Sequence, residues 1–201
     1  MVARTSVEQQ EFGGDSAGIR LTAEEFTRAR NFDRLYRYEV VNDVLVVRPN
    51  QCHQNRLLSQ DLGFRLYTYR LARNERLLTV YEEPVRTRHS IRRVDRAIWL
   101  STSGEPNPRI DVPVILVDFV SAGRRVMFRD YLDRRDEYLT IGVKEYWVID
   151  RFDRTMTVFT GAVDAPLETV VKESGVYSTP LLPGFALPLA DILTEADKFP
   201  D

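Results

Sequence analysis

Apolar and polar positions follow two different periods along this chain, and the switches between them outline the fold. Tyr36–Val41 and Val44–Arg48 are rich in β-branched and aromatic residues, and only Asn42-Asp43 separates them. Two such turn formers between β-rich runs predict a tight hairpin, which Pro49-Asn50 ends. From His53 to about Ala72 the period changes. Leu57, Leu58, Asp61, Leu62, Arg65, Leu66 and Tyr69 recur at spacings of three and four, so a helix is predicted, with Gly63 a weak point or a mark of close packing. Strand-like runs follow at Leu77–Glu82, Arg93–Leu100 and Pro113–Ser121, with a loop over Ser101–Arg109. A second long helix is expected over Phe128–Ile141, with Phe128, Leu132, Tyr138 and Leu139 on its apolar side and Gly142 as its C-terminal cap.

The ends are read from local signals. Thr22 and Glu25 have the spacing of a capping box, so a helix starts within Leu21–Phe26. Lys144–Asp150 and Thr155–Thr160 form a further hairpin turning at Arg151–Arg154. A final strand is expected near Val176, then Pro183-Gly184-Phe185 and a short segment to Leu193. The strand over Pro113–Ser121, the helix after it and the strand over Lys144–Asp150 make a strand–helix–strand unit whose crossover suits a parallel pair. The fold class is therefore mixed α/β, a central mixed sheet flanked by helices. Residues 1–20 read as a flexible polar lead-in, without the apolar stretch of a secretion signal, and 21–201 as a single domain.

Composition narrows the function classes. With 43% hydrophobic and 29% charged residues the chain can bury a core. No run reaches the ~20 apolar residues of a membrane helix. A single cysteine (Cys52) and two histidines (His53 and His89) exclude an internal disulfide and a thiolate- or imidazole-built metal centre. They favour a cytoplasmic setting. The net charge of −2 argues against a protein that coats nucleic acid by charge alone. Basic charge is nevertheless clustered: Arg86, Arg88, Arg92 and Arg93 before Asp95, and Arg124, Arg125, Arg129, Arg134 and Arg135 after Asp118. Such clusters read equally well as solvated faces. Only three basic residues are lysines (Lys144, Lys172, Lys198), a bias typical of genome composition.

One stretch carries candidate chemistry. In Val114-Ile115-Leu116-Val117-Asp118-Phe119-Val120 a carboxylate interrupts a buried-strand pattern, and an unpaired buried carboxylate is costly. Asp95 stands near the start of another strand. If the two strands pair, two carboxylates meet at one edge of a sheet and offer oxygen ligands suited to Mg²⁺. The plainer alternative makes Asp95 a turn or salt-bridge residue beside its arginines. Patterns alone leave both open.

From Leu21 to about Leu193 the chain resembles the Uma-two family of restriction endonucleases, a branch of the PD-(D/E)XK nuclease superfamily. The resemblance rests on Leu21-Thr22-Ala23-Glu24-Glu25-Phe26, on Tyr38-Glu39-Val40-Val41, on Pro49 followed by His53, and on Val94-Asp95. It continues through Val117-Asp118-Phe119-Val120-Ser121, Asp130 with Arg134 and Tyr138, Gly142-Val143-Lys144-Glu145-Tyr146-Trp147-Val148-Ile149-Asp150, and Pro183-Gly184-Phe185. It implies a restriction-endonuclease-like fold and a Mg²⁺-dependent endonuclease acting on DNA, with Mn²⁺ able to substitute. Asp95, Asp118 and Glu39 would hold the metal. The family's helix-borne lysine falls on Arg134, in register with Asp130, and the catalytic set becomes Asp95, Asp118, Arg134 and Glu39. His53 and Asp130 are expected to line the site. Arginine keeps the charge but cannot act as a base, so turnover is expected to be weakened. The alternative is an inactive nuclease fold that binds nucleic acid or a protein partner, with Asp130–Arg134 an ordinary surface ion pair. A homodimer is expected if both DNA strands are cut.

Overall fold

The computed structural model describes residues 6–102, 104–121 and 124–198, and of 124–129 the backbone only. The chain divides into two compact units, residues 1–50 with 84–93 and residues 51–83 with 94–201.

In the first unit β1 (Glu11–Phe12) lies parallel to β2 (Asn31–Phe32), with a 3-10 turn and α1 (Ala23–Arg28) between them. Thr22 caps α1 as its sequence predicts: its hydroxyl accepts the Glu25 N–H, and the Glu25 carboxylate accepts the Thr22 N–H at 2.8 Å. The predicted hairpin is β3 (Tyr36–Val41) and β4 (Val44–Pro49). Asn42 and Asp43 both have positive φ, 50° and 60°, which matches the right-handed twist of the two strands. Order starts earlier than the flexible lead-in over residues 1–20 suggested. Phe12 is 1% exposed, stacks on Phe32 at 5.0 Å and accepts the Tyr38 hydroxyl at its carbonyl. Phe12, Leu21, Ala29, Tyr38, Val40 and Leu45 form this unit's core.

Two strands run from one unit into the other along the chain, β5 (Leu77–Arg86) and β6 (Ser90–Leu100). Within the second unit β6 pairs antiparallel with β7 (Ile115–Phe119), which pairs parallel with β8 (Glu145–Asp150). The predicted strand–helix–strand unit is thus present, with α3 (Arg124–Thr140) as its crossover. Antiparallel β9 (Thr155–Ala162) and β10 (Ala165–Lys172) complete the order β10-β9-β8-β7-β6, and β5 also pairs with β6. Counted along its hydrogen-bonded strands, the mixed sheet has eight members. After the short pair β11 (Val176–Tyr177) and β12 (Leu187–Pro188) comes α4 (Leu189–Asp197).

Side chains alternate across the pleat, and α2 (His53–Arg73) covers one face. Its Leu58, Leu62 and Leu66 pack with Ile98, Val117, Phe119, Trp147 and Ile149, while Leu189, Ile192, Leu193 and Ala196 of α4 extend the same core. Among the described residues no helix is long and apolar enough to cross a membrane.

Several boundaries differ from expectation for identifiable reasons. The central strand ends at Phe119, not Ser121, because the Asn55 side-chain amide takes the Phe119 carbonyl and contacts Ser121 Oγ. α3 starts at Arg124, one turn before the apolar spacing begins. Phe128, expected on its apolar side, lies outside the described side chains. Tyr138 and Leu139 are buried, whereas Leu132 is only partly so. Gly142 caps the helix at φ 100°. β10 gives no alternation because nearly every residue in it is exposed.

Gly63 has a specific cause. A Cβ there would lie 2.6 Å from the Arg96 guanidinium, which donates to the Ser59 carbonyl and, at 2.9 Å, to Thr79 Oγ1. Arg96 is 6% exposed, and burial lowers its pKa to about 10, so it stays charged at neutral pH. Gly63→Ala gains about 1 kcal/mol of helix propensity but forces this buried group to move, at a typical overpacking cost of ~1–3 kcal/mol. We expect net destabilisation, read as a lower urea midpoint at unchanged m-value.

Candidate active site

The centre of the second unit is a carboxylate pair. Arg96 opposes Val117 in the β6–β7 ladder, so one step further Asp95 opposes Asp118. Directly opposed residues point to the same face, with Cβ atoms ~4.5–5.5 Å apart. Each aspartate reaches the other strand's backbone. Asp118 Oδ1 accepts the Asp95 N–H at 3.2 Å, and Asp95 Oδ2 accepts the Phe119 N–H at 2.7 Å. Both residues are 4% exposed. The strands do pair, which the sequence left open, and the pairing puts these two carboxylates on one face.

Two like charges so close need compensation. β8 supplies one donor. Parallel pairing sets Leu116 beside Tyr146, so the Tyr146 side chain shares the face of Asp118 and its hydroxyl donates to Asp118 Oδ2 at 2.6 Å. α3 supplies another. Arg134, 4% exposed, places Nη1 3.5 Å from Asp118 Oδ2 and 3.1 Å from the Tyr138 hydroxyl, and its Nε donates to Asp130 Oδ2 at 3.1 Å. The pair Asp130–Arg134 is thus no ordinary surface contact: its arginine end is buried and shared with Asp118. Residues 131, 134 and 138 lie on one helix face by their spacing. Burial, and then the negative charge of Asp118, pushes the Tyr146 hydroxyl pKa up. Burial, then Asp118 and Asp95, does the same to Tyr131. Both phenols remain protonated at neutral pH.

Glu39 belongs to the first unit. It is 3% exposed, accepts the Arg93 N–H at 2.9 Å and lies 3.9 Å from Arg92 Nη1. Arg92 is therefore a buried partner of an acid, while Arg86 binds Glu24 on the surface. His53 is exposed at the first position of α2. Tyr69, Trp99 and Phe119 are buried, whereas Tyr67 is 52% exposed.

Glu145, Tyr146 and Trp147 belong to the stretch on which the family resemblance rests, and all three are buried. Glu145 is clamped by Trp147 Nε1, the Tyr177 hydroxyl and Thr179 Oγ1, and Trp147 lies in the core. Tyr146 is also fully buried, but its hydroxyl touches Asp118. Its even-numbered place in a buried strand parallel to that of Asp118 was the available signal.

The donor set suits a hard divalent cation. It is built of carboxylate oxygens, and Asp118 receives three protein donors where a carboxylate offers about four lone-pair positions. Among the described residues no three His, Cys, Asp or Glu side chains converge as a metal cage. A Mg²⁺ site here would be of the two-carboxylate kind, completed by water or substrate oxygens.

The central mixed sheet with its flanking helices is a restriction-endonuclease-like fold. A family model described as "Putative restriction endonuclease" matches residues 23–190, and the chain belongs to that family, Uma2. Among solved structures it is similar to a putative nuclease belonging to DUF820 from Anabaena variabilis. The TM-score is 0.71 at 12% sequence identity, over 88% of this chain and 99% of that one, a likeness of fold. No curated protein matches.

Tyr146→Phe removes a hydrogen bond to a charged acceptor. We expect a loss of about 1.5–3 kcal/mol, measured by urea unfolding.

Proposed function

We propose that this protein is a Mg²⁺-dependent endonuclease that hydrolyses DNA phosphodiester bonds, with Mn²⁺ able to replace Mg²⁺. The observation that carries the reading is the Asp95–Asp118 pair, opposed across β6 and β7 and buried. Asp95 and Asp118 would hold the cation. The bound metal supplies charge neutralisation at the phosphate and a more acidic water. The remaining chemistry belongs to the chain. Tyr146 fixes the rotamer of Asp118 by its 2.6 Å hydrogen bond. Tyr131 of α3 faces the pair as a neutral phenol, and the Tyr138 hydroxyl accepts from Arg134 at 3.1 Å. Arg134 offers fixed positive charge to the scissile phosphate but cannot take a proton from water, so turnover is expected to be slow. Restriction-type cutting of both strands calls for a homodimer, and the setting is cytoplasmic.

A second reading has its own support. Arg134 is already engaged by Asp118 and Asp130, as expected of a fold that keeps its acids neutralised and binds nucleic acid or a protein without cutting.

Plasmid nicking separates the two. The purified protein should convert supercoiled DNA to open circles with Mg²⁺ or Mn²⁺ and not with EDTA. Asp95→Ala should lower the rate by at least ~10²-fold, the scale of losing one electrostatic element of an active site. Equal nicking by wild type and Asp95→Ala would trace the activity to a contaminant and remove the nuclease assignment.

A further inference from the structure

We infer that Arg134 is the resident counter-ion of the acid pair and sets its metal affinity, so that a divalent cation must compete with the guanidinium for Asp118. The inference rests on the metal-site reading above.

The geometry gives the reason. Asp95 and Asp118 each place one oxygen on the opposite strand's backbone, which leaves two negative charges on one face of the sheet. Buried carboxylates so arranged need a cation, whether supplied by solvent or by the chain. Arg134 reaches them from α3 and is itself 4% exposed. Its Nη1 bridges Asp118 Oδ2 and the Tyr138 hydroxyl, and its Nε is held by Asp130. A guanidinium anchored by a phenol and a second carboxylate is fixed in place, unlike a surface arginine free to swing away. It is also permanently charged, so proton loss cannot make room for the metal. Asp118 Oδ2 is the shared atom. It already carries Tyr146 and Arg134, and any cation using it meets a positive charge beside it.

Asp130 has the opposite effect. It is more exposed than its partner, 17% against 5% for the side chains, and draws the arginine's Nε away from the acid pair. Without Asp130, the guanidinium keeps its contact with Asp118 and loses the carboxylate that holds its Nε.

The test is Mn²⁺ binding to the full chain, followed by electron paramagnetic resonance of the free aqueous ion, with no DNA present. Arg134→Gln removes the charge and keeps a polar head able to reach Tyr138. It should tighten Mn²⁺ binding at least about tenfold, as for removing a like charge from a partly desolvated site. Arg134→Lys keeps the charge and should stay within a few-fold of wild type. In the Asp118→Asn background Arg134→Gln should bring no gain, as a double-mutant cycle requires of a coupled pair. Asp130→Asn, at a partly exposed position that tolerates change, should weaken binding several-fold even if Arg134→Gln does not fold. Measurable and equal affinities across wild type, Arg134→Gln and Asp130→Asn would falsify the counter-ion role and leave the metal site standing. No Mn²⁺ bound by any folded variant would overturn both.

Discussion

Two carboxylates cannot be buried opposite each other on neighbouring strands unless something in the fold answers their charge. In this protein the answer is distributed over four elements. The backbone of β6 and β7 gives one N–H to each acid, β8 brings a phenol, and α3 brings a guanidinium. Each donor depends on a different feature of the topology. The N–H groups need the antiparallel register of β6 and β7. The phenol needs β8 parallel to β7 and in step with it. The guanidinium needs the crossover helix to present positions 130, 134 and 138 along one side. The acid pair therefore tests the whole second unit at a single point.

The same sheet handles charge differently on its two faces. Asp95 and Arg96 are adjacent in sequence and point in opposite directions. The aspartates face a setting of tyrosines and an arginine. Arg96 faces α2, where Ser59 solvates it and Gly63 leaves it space, and Thr79 of β5 accepts its other end. Burial with hydroxyl and carbonyl partners costs less than burial alone, which explains a charged residue in the middle of an otherwise apolar helix–sheet contact.

Much of this was legible in the sequence where the signal is local. The capping box at Thr22, the Asn42-Asp43 turn, the heptad-like face of α2 and the Gly142 cap all act within a few residues, and all appear in the fold. The acid pair was legible only conditionally, since the sequence places two acids on strands but not the strands beside each other. What could not be read was non-local or unpatterned. β10 is exposed along nearly its whole length and carries no alternation. α4 follows Pro188 with the spacing Leu189, Ile192, Leu193 and Ala196, a helical face hidden by the brevity of the segment. The contact of the Tyr146 hydroxyl with Asp118 depends on the β7–β8 register, which no local pattern gives. Phe12 is a single apolar residue in a polar stretch, and its burial depends on Phe32 and Tyr38, some twenty residues on.

The alternation at Asp95 and Arg96 also bears on how the chain finds its register. A strand slipped by one residue exchanges its two faces. If β6 slid by one against β7, Arg96 would take its place opposite Asp118, and Asp95 would turn toward the face of Leu58 and Leu62 and away from the Phe119 N–H that now holds it. The hollow over Gly63 would lose its guanidinium. A mispaired sheet would thus carry its error as a poorly solvated anion against a largely apolar face, so the acid pair also proofreads the alignment of the strands that carry it.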